Sequence, residues 1–276
     1  HTGDLDGMVE RGFLRILTVH NPLLFTFDGQ ESRGIMVDMG RSFEGHLNEE
    51  VGRVRAPTVL LIPVARDQLL TGLAEGRGDI VAANLTITPE RQEIVAFSDP
   101  VYPGISELVV SGPAAPQLSS LDDLVKTELH LRESSSDFEH VRALNAERAR
   151  QGKPPIPVKP ADEYLEDHDL LDLVNAGVLP AIVVDSHKAA FWAQVFPEIT
   201  VHEKLAVHSG GNIGWAVRQD SPRLLELVNG FVKMARKGTL LGNMALNRYT
   251  GSADWIDAAV AGQHEARFSK TAGWFQ

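Results

Sequence analysis

Leu69-Leu70-Thr71-Gly72-Leu73-Ala74-Glu75-Gly76-Arg77-Gly78-Asp79-Ile80-Val81-Ala82-Ala83-Asn84-Leu85-Thr86-Ile87-Thr88-Pro89-Glu90-Arg91 is the stretch whose reading decides the fold. Its leucines lie on a short helix, and Gly76-Arg77-Gly78 stops that helix. Asp79 to Ala83 then forms a short apolar run of buried-strand type. Thr88 is a good N-cap and Pro89 suits the first position of a following helix. Helix, glycine stop, buried strand and new helix start make one unit of an α/β sheet.

The same unit returns 101 positions later, from 69 to 170, without a gap. Leu170-Leu171, Gly177 and Ala181-Ile182-Val183-Val184-Asp185 repeat the helix, the stop, the strand and a polar residue at the strand end. Ligands in open α/β sheets sit outside the carboxyl ends of strands. Two similar halves would therefore each present one polar group, Asn84 and Asp185, to a shared cleft. Any two strand–helix units also look somewhat alike, so the echo alone leaves a single sheet open.

The neighbouring segments extend the alternation. Leu14–Val19 reads as a strand. Ile35, Met39, Phe43 and Leu47 mark an amphipathic helix. Val59–Val64 reads as a buried strand, and Ile105–Val110 as another. Gly112-Pro113-Ala114-Ala115-Pro116 reads as a linker. A second set follows: a helix from Ser120, a strand at Leu129–Leu131, a helix from Asp137, a Pro-rich loop at Lys153–Pro160 and a helix at Glu163–Ala176. After Ser209-Gly210-Gly211 come a strand at Ile213–Val217 and helices at Pro222–Arg236 and Thr239–Tyr249. The tail carries Trp255, Phe268, Trp274 and Phe275 at loosely helical spacing, which leans towards packing. Strands alternating with helices predict mostly parallel sheets with helices on both faces.

Size and charge narrow the function. The 276 residues fit two domains or one large one. The net charge of −11 repels phosphate backbones and disfavours nucleic acid as a partner. The absence of cysteine excludes disulfides and thiolate catalysis. No apolar run approaches the roughly 20 residues that span a bilayer. The opening His1-Thr2-Gly3-Asp4 shows no signal peptide, so the chain is expected to be cytoplasmic or to begin after processing.

Three places hold candidate chemistry. Thr86, the helix start at Thr88 and Arg91 converge on one anion in the functional reading, because Arg matches a carboxylate with two parallel hydrogen bonds. In the plain reading they are a capped helix start with a surface charge. Ser135 and Ser136 lie in Glu133-Ser134-Ser135-Ser136-Asp137-Phe138-Glu139, where Ser136 with Glu139 has the spacing of a capping box. Asp185 ends a strand and either caps the next helix or binds an ammonium group. Enzyme motifs are missing: there is no Gly-x-Ser-x-Gly elbow, no Walker lysine and no His-Glu-x-x-His pair. Glu166-Asp167-His168-Asp169 reads as the solvated face of an acidic helix. No catalytic residue, metal or cofactor is expected.

Thr86-Ile87-Thr88-Pro89-Glu90-Arg91 with Phe97-Ser98-Asp99-Pro100 resembles the hallmark of periplasmic solute-binding proteins, family 3, which bind polar amino acids. More closely, the chain resembles the amino-terminal domain of membrane-bound lytic transglycosylases of the F type. The stretches that carry this are Pro63–Leu70, Gly76–Ile80, Arg132–Ser136, Leu165–Asp167, Val183–Ala189 and Lys237–Asn243. The resemblance implies a periplasmic, two-lobed fold closing by a hinge, with hinge strands near Tyr102–Glu107 and Val207–Gly211, lobe 1 at 1–104, lobe 2 at 105–208, and 209–276 returning to lobe 1 with a helical tail. It implies that Asn84, Thr86 and Arg91 hold a ligand carboxylate, that Ser135 and Ser136 approach it from lobe 2, and that Asp185 binds the α-amino group. Asn21-Pro22-Leu23-Leu24 and Arg66 stand where aromatic side chains that stack on the ligand are expected. Arg66, if it faces the cleft, favours a ligand with extra acceptors such as a cell-wall peptide. Its other reading is a salt bridge with Asp67 or a neighbouring acid. The implied function is a binding domain for an amino acid or muropeptide, partnered by a transglycosylase domain or, alternatively, by the permease of an amino-acid transporter.

Overall fold

The computed structural model describes residues 1–253 and 255–256. Helix α1 (Leu5–Arg11) leads into strand β1 (Phe13–Thr18). A small hairpin of β2 (Thr26–Asp28) and β3 (Glu31–Arg33) precedes α2 (Ile35–Val51). Then follow β4 (Thr58–Pro63), α3 (Gln68–Ala74), β5 (Ile80–Thr86), α4 (Pro89–Gln92), β6 (Val95–Phe97) and β7 (Tyr102–Ser111). A 3₁₀ turn at Leu121–Lys126 comes before β8 (Leu129–Leu131), α5 (Ser136–Arg150), β9 (Val158–Pro160), α6 (Asp167–Asn175) and β10 (Ala181–Asp185). The chain continues through α7 (Ser186–Trp192), β11 (Thr200–Arg218), α8 (Pro222–Ala235) and α9 (Leu240–Thr250).

Among the described residues the main sheet runs β4-β1-β5-β11-β7-β10-β8-β9, with β6 also paired to β11. The outer strands are parallel: β4, β1 and β5 on one side, and β10, β8 and β9 on the other. β11 and β7 run antiparallel to each other and to their neighbours. The fold is therefore two lobes on one sheet. β11 serves both, pairing first with β7 beside β10 and later with β5 and β6.

The echo in the sequence is an echo in space. Gly76 after α3 has φ 74° and Gly177 after α6 has φ 71°. Only glycine enters that left-handed region without steric cost, so it ends each helix before the buried strand begins. Three expectations are corrected. The strand expected at Ile213 begins at Thr200 and takes in the hinge segment Val207–Gly211, because its half-exposed first part has no apolar run to announce it. β4 is an edge strand with alternate residues exposed, since nothing pairs beyond it. Helix α6 starts at Asp167 and not at Glu163.

Each lobe has its own core. In the first, Phe43, Trp215 and Phe231 pack with centroids 5.3–5.6 Å apart. In the second, Val109, Leu129, Val141 and Val183 are buried together between α5 and the sheet. A third cluster joins the lobes. Leu23, Tyr249, Ala253 and Ile256 from the first-lobe side pack with Leu170, Leu171, Phe191 and Trp192 of the second. Trp255 packs against this cluster, edge-on to Tyr249. Phe268, Trp274 and Phe275 lie outside the described residues.

Candidate ligand-binding cleft

Asn84, Thr86, Arg91, Arg66, Ser135, Ser136 and Asp185 all line one cavity of about 240 Å³ between the lobes. The two strands of the echo deliver the first and last of them: β5 carries Asn84 and Thr86, and β10 ends on Asp185. Asn84 is the one described non-glycine residue with positive φ, at 53°. The side-chain hydroxyl of Thr88 accepts from the Arg91 amide at 3.3 Å, with Pro89 at the first helical position as the sequence predicts.

Arg91 is buried, and its guanidinium is a cross-cleft strut. Nε donates to Glu139 Oε1 at 2.8 Å, Nη1 to the Thr86 carbonyl at 3.1 Å and Nη2 to the Ser134 carbonyl at 2.9 Å. Thr86 thus engages Arg91 through its backbone. Ser135, rather than Ser136, caps α5: its hydroxyl accepts from the Phe138 amide at 3.1 Å, and Ser136 is the first helical residue. The expected Ser136–Glu139 capping box is absent because the cap falls one residue earlier, which puts Phe138 at the third helical position and leaves Glu139 to pair with Arg91.

Arg66 forms the salt bridge that was its alternative reading, with Glu166 and not Asp67. Nε donates to Oε1 at 2.9 Å and Nη2 to Oε2 at 2.6 Å, while Nη1 donates to the Ala83 carbonyl at 3.1 Å. Burial alone would lower the Arg66 pKa, but the Glu166 charge and hydrogen bonds raise it. Burial likewise favours a neutral Glu166, and Arg66 overcomes this and lowers its pKa. Asn21 Nδ2 also donates to Glu166, at 3.3 Å. Leu23 lies in the interlobe seam and not in the cavity wall.

Asp185 caps nothing with its side chain. Lys188 takes it instead, with Nζ 2.7 Å from Asp185 Oδ2 and 2.7 Å from Asp167 Oδ2. Arg132 binds the other oxygen of Asp167. Burial would lower the Lys188 pKa, but the charges of Asp167 and Asp185 raise it. Asp167, which burial would push up, is held well below the usual carboxylate range by Lys188 and Arg132. Glu166 and Asp167 are therefore buried charges, which corrects their reading as a solvated helix face. Their partners come from positions 66, 132 and 188, so no local pattern announces them. The one signal was that Arg132, Leu165–Asp167 and Lys188 all fall in the stretches that carried the family resemblance.

The cleft can accept charged polar groups of both signs from both lobes. No described helix is long and apolar enough to cross a membrane. Comparison with known proteins agrees with this architecture. The chain is 32% identical over 204 residues to a membrane-bound lytic murein transglycosylase F of Maricaulis maris, covering 71% of this chain and 40% of that protein. It is 26% identical over 266 residues to the protein of that name from Pseudomonas fluorescens, covering 94% of this chain and 51% of that one. The chain thus spans about half the length of the curated relatives it matches. Among solved structures, an ancestral arginine-binding protein bound to arginine superposes with a TM-score of 0.69 at 23% identity, covering 87% of this chain and 98% of that one. The substrate-binding protein of an amino acid ABC transporter gives 0.68 at 19% identity, covering 87% of this chain and 100% of that one. The sequence profile of the bacterial extracellular solute-binding proteins, family 3, matches residues 14–245, and the chain belongs to that family.

Proposed function

We propose that this chain is a periplasmic binding domain, not a catalyst, that clamps an amino acid or cell-wall peptide between lobes comprising 1–104 with 209 onward, and 105–208. The observation that carries the reading is the meeting of Asn84, Thr86, Arg91, Ser135, Ser136, Asp185 and Arg66 around one interlobe cavity. The ligand carboxylate takes the Arg91 edge that Glu139 holds, and the ligand ammonium takes the place of Lys188 on Asp185. Asn84, Thr86 and the two serines supply further polar contacts, and Arg66 donates to the extra carbonyls of a peptide. In a longer protein, the state of the cleft regulates a lytic transglycosylase domain, with a coupling energy equal to the ligand's preference for one lobe arrangement.

The test is native mass spectrometry of the purified protein with identification of any released small molecule, followed by calorimetric titration. Arg91→Ala is expected to weaken binding by about 2–5 kcal/mol, the cost of stranding one partner of a buried charge pair. Unchanged affinity would remove Arg91 from the site. A second reading, delivery of an amino acid to a membrane permease, is favoured by the near-complete overlap with the transporter's substrate-binding protein. A gene that continues past Gln276 into a transglycosylase domain supports regulation, and an adjoining permease gene supports transport.

A further inference from the structure

Beneath the first turn of α5, the second lobe buries two acids that the ligand reading leaves unused, Glu107 and Asp137, beside Asp185, which it does use. Glu107 of β7 and Asp185 of β10 are directly opposed in antiparallel register, so their side chains leave the sheet on the same face. Asp137, in the first turn of α5, descends onto them. One carboxylate oxygen from each of the three lies within 4.8 Å of the others.

Glu107 is fully buried and Asp137 is 9% exposed. Glu107 Oε2 lies 2.6 Å from His140 Nδ1, and His140 stacks on His208 at 3.9 Å. Glu107 Oε1 and Asp137 Oδ1 have no hydrogen-bond partner. Lys188 and Arg132 pair with Asp167, and Lys188 with Asp185. The Lys188 charge also acts on Asp137, but among the described residues no salt bridge to Asp137 forms. A helix N-terminus favours an acid, yet an exposed one satisfies it equally well. Burying that acid beside two further carboxylates, with oxygens unpaired, is costly unless a positive charge or a proton joins them.

We propose that Glu107, Asp137 and Asp185 form an oxygen-only site for a hard divalent cation of the calcium or manganese kind at the floor of the cleft. The donors are carboxylates, the set that suits such ions and not zinc. His140 fixes the outer oxygen of Glu107, as a group behind a metal ligand does. Asp137 and Asp185 both face the interlobe cavity, which provides the entry path.

The test uses the whole chain dialysed against a chelator, then titrated with calcium, magnesium and manganese chlorides. The expected result is saturable binding by calorimetry and a rise in Tm. Asp137→Asn is expected to weaken binding by more than about tenfold, which is the lower end for losing even an outer partner of a metal ligand. The variant also raises the Tm of the cation-free protein, because a neutral amide replaces a buried acid. Wild-type protein that binds no ion at millimolar concentration, and shows a protonated-carboxyl infrared band lost in Asp137→Asn, overturns the proposal in favour of a shared proton. Equal cation binding by wild type and variant also overturns it. The cation and a ligand ammonium would compete for Asp185; because the titration contains no amino acid, its failure leaves the amino-acid reading untouched.

Discussion

Arg66 and Glu166 face each other across the cleft with two parallel hydrogen bonds, one side chain from each lobe and both buried. The pair holds the lobes in register where neither sheet strand nor helix crosses. Glu166→Gln is expected to destabilise the protein by about 3–5 kcal/mol, because it strands a buried guanidinium. The double variant Arg66→Met/Glu166→Leu is expected to recover most of that loss. Urea unfolding measures both, and small-angle scattering of Glu166→Gln should show a larger radius of gyration. Equal midpoints for wild type and Glu166→Gln would mean the pair does not hold the lobes.

Lys188 is the chain's own ammonium on Asp185 and Asp167. Lys188→Met removes the competitor for any ligand ammonium and leaves the carboxylates. Affinity for free amino acids is expected to rise about tenfold, or about 1.4 kcal/mol. The variant is expected to be less stable at neutral pH, since Asp167 loses a main cause of its depressed pKa. A group with a depressed folded pKa stabilises above its unfolded pKa and loses that contribution as pH falls. Calorimetric titration and thermal melts on one preparation separate the two effects.

His187 stacks on Tyr102 at 4.7 Å, and burial pushes its pKa down to about 4. The unfolded chain takes up a proton at the ordinary value near 6.5. Protonation therefore favours the unfolded form between these values, and stability falls as pH drops from 6.5 to 4, by about 2–3 kcal/mol. Above pH 7 this residue contributes no slope. His187→Phe retains a ring against Tyr102, and the difference between its stability profile and that of wild type should show this slope alone.

Asn84 sits at φ 53° on the cavity wall. Left-handed backbone costs an alanine about 1–2 kcal/mol and a glycine nothing. Asn84→Ala is thus expected to lower stability by about that amount, and Asn84→Gly to hold or slightly raise it. Ligand affinity measured on the stable Asn84→Gly variant then reports the side chain's own contact. If the two variants melt together, the backbone there relaxes.

What the sequence disclosed follows from the range of each interaction. Gly76 and Gly177, Thr88 and Pro89, and the apolar runs of β5 and β10 act over a few residues, and each is readable in place. They place Asn84 and Asp185 at equivalent strand ends, which the structure brings to one cavity, while the two-lobed arrangement comes from the family resemblance. The charges that shape the cleft act over long separations. Arg66 finds Glu166 at a sequence distance of 100, and Arg91 finds Glu139 at 48. Periodicity cannot pair such residues, so acidic Glu166-Asp167 looked like solvent-facing helix. The apolar run of β11 is legible only in its second part: Ile213–Val217 is buried, whereas the stretch from Thr200 is half-exposed and has no pattern that a single buried face would impose.

The apolar seam of Leu23, Tyr249 and Ile256 against Leu170, Phe191 and Trp192 gives lobe separation a thermal character. Parting the lobes wets hydrocarbon as well as breaking ion pairs, so the step carries a positive heat-capacity change, as partial unfolding does. The attraction across the seam weakens on cooling. A spread-apart population should therefore grow in the cold, and ligand affinity should bend with temperature instead of following a straight van't Hoff line.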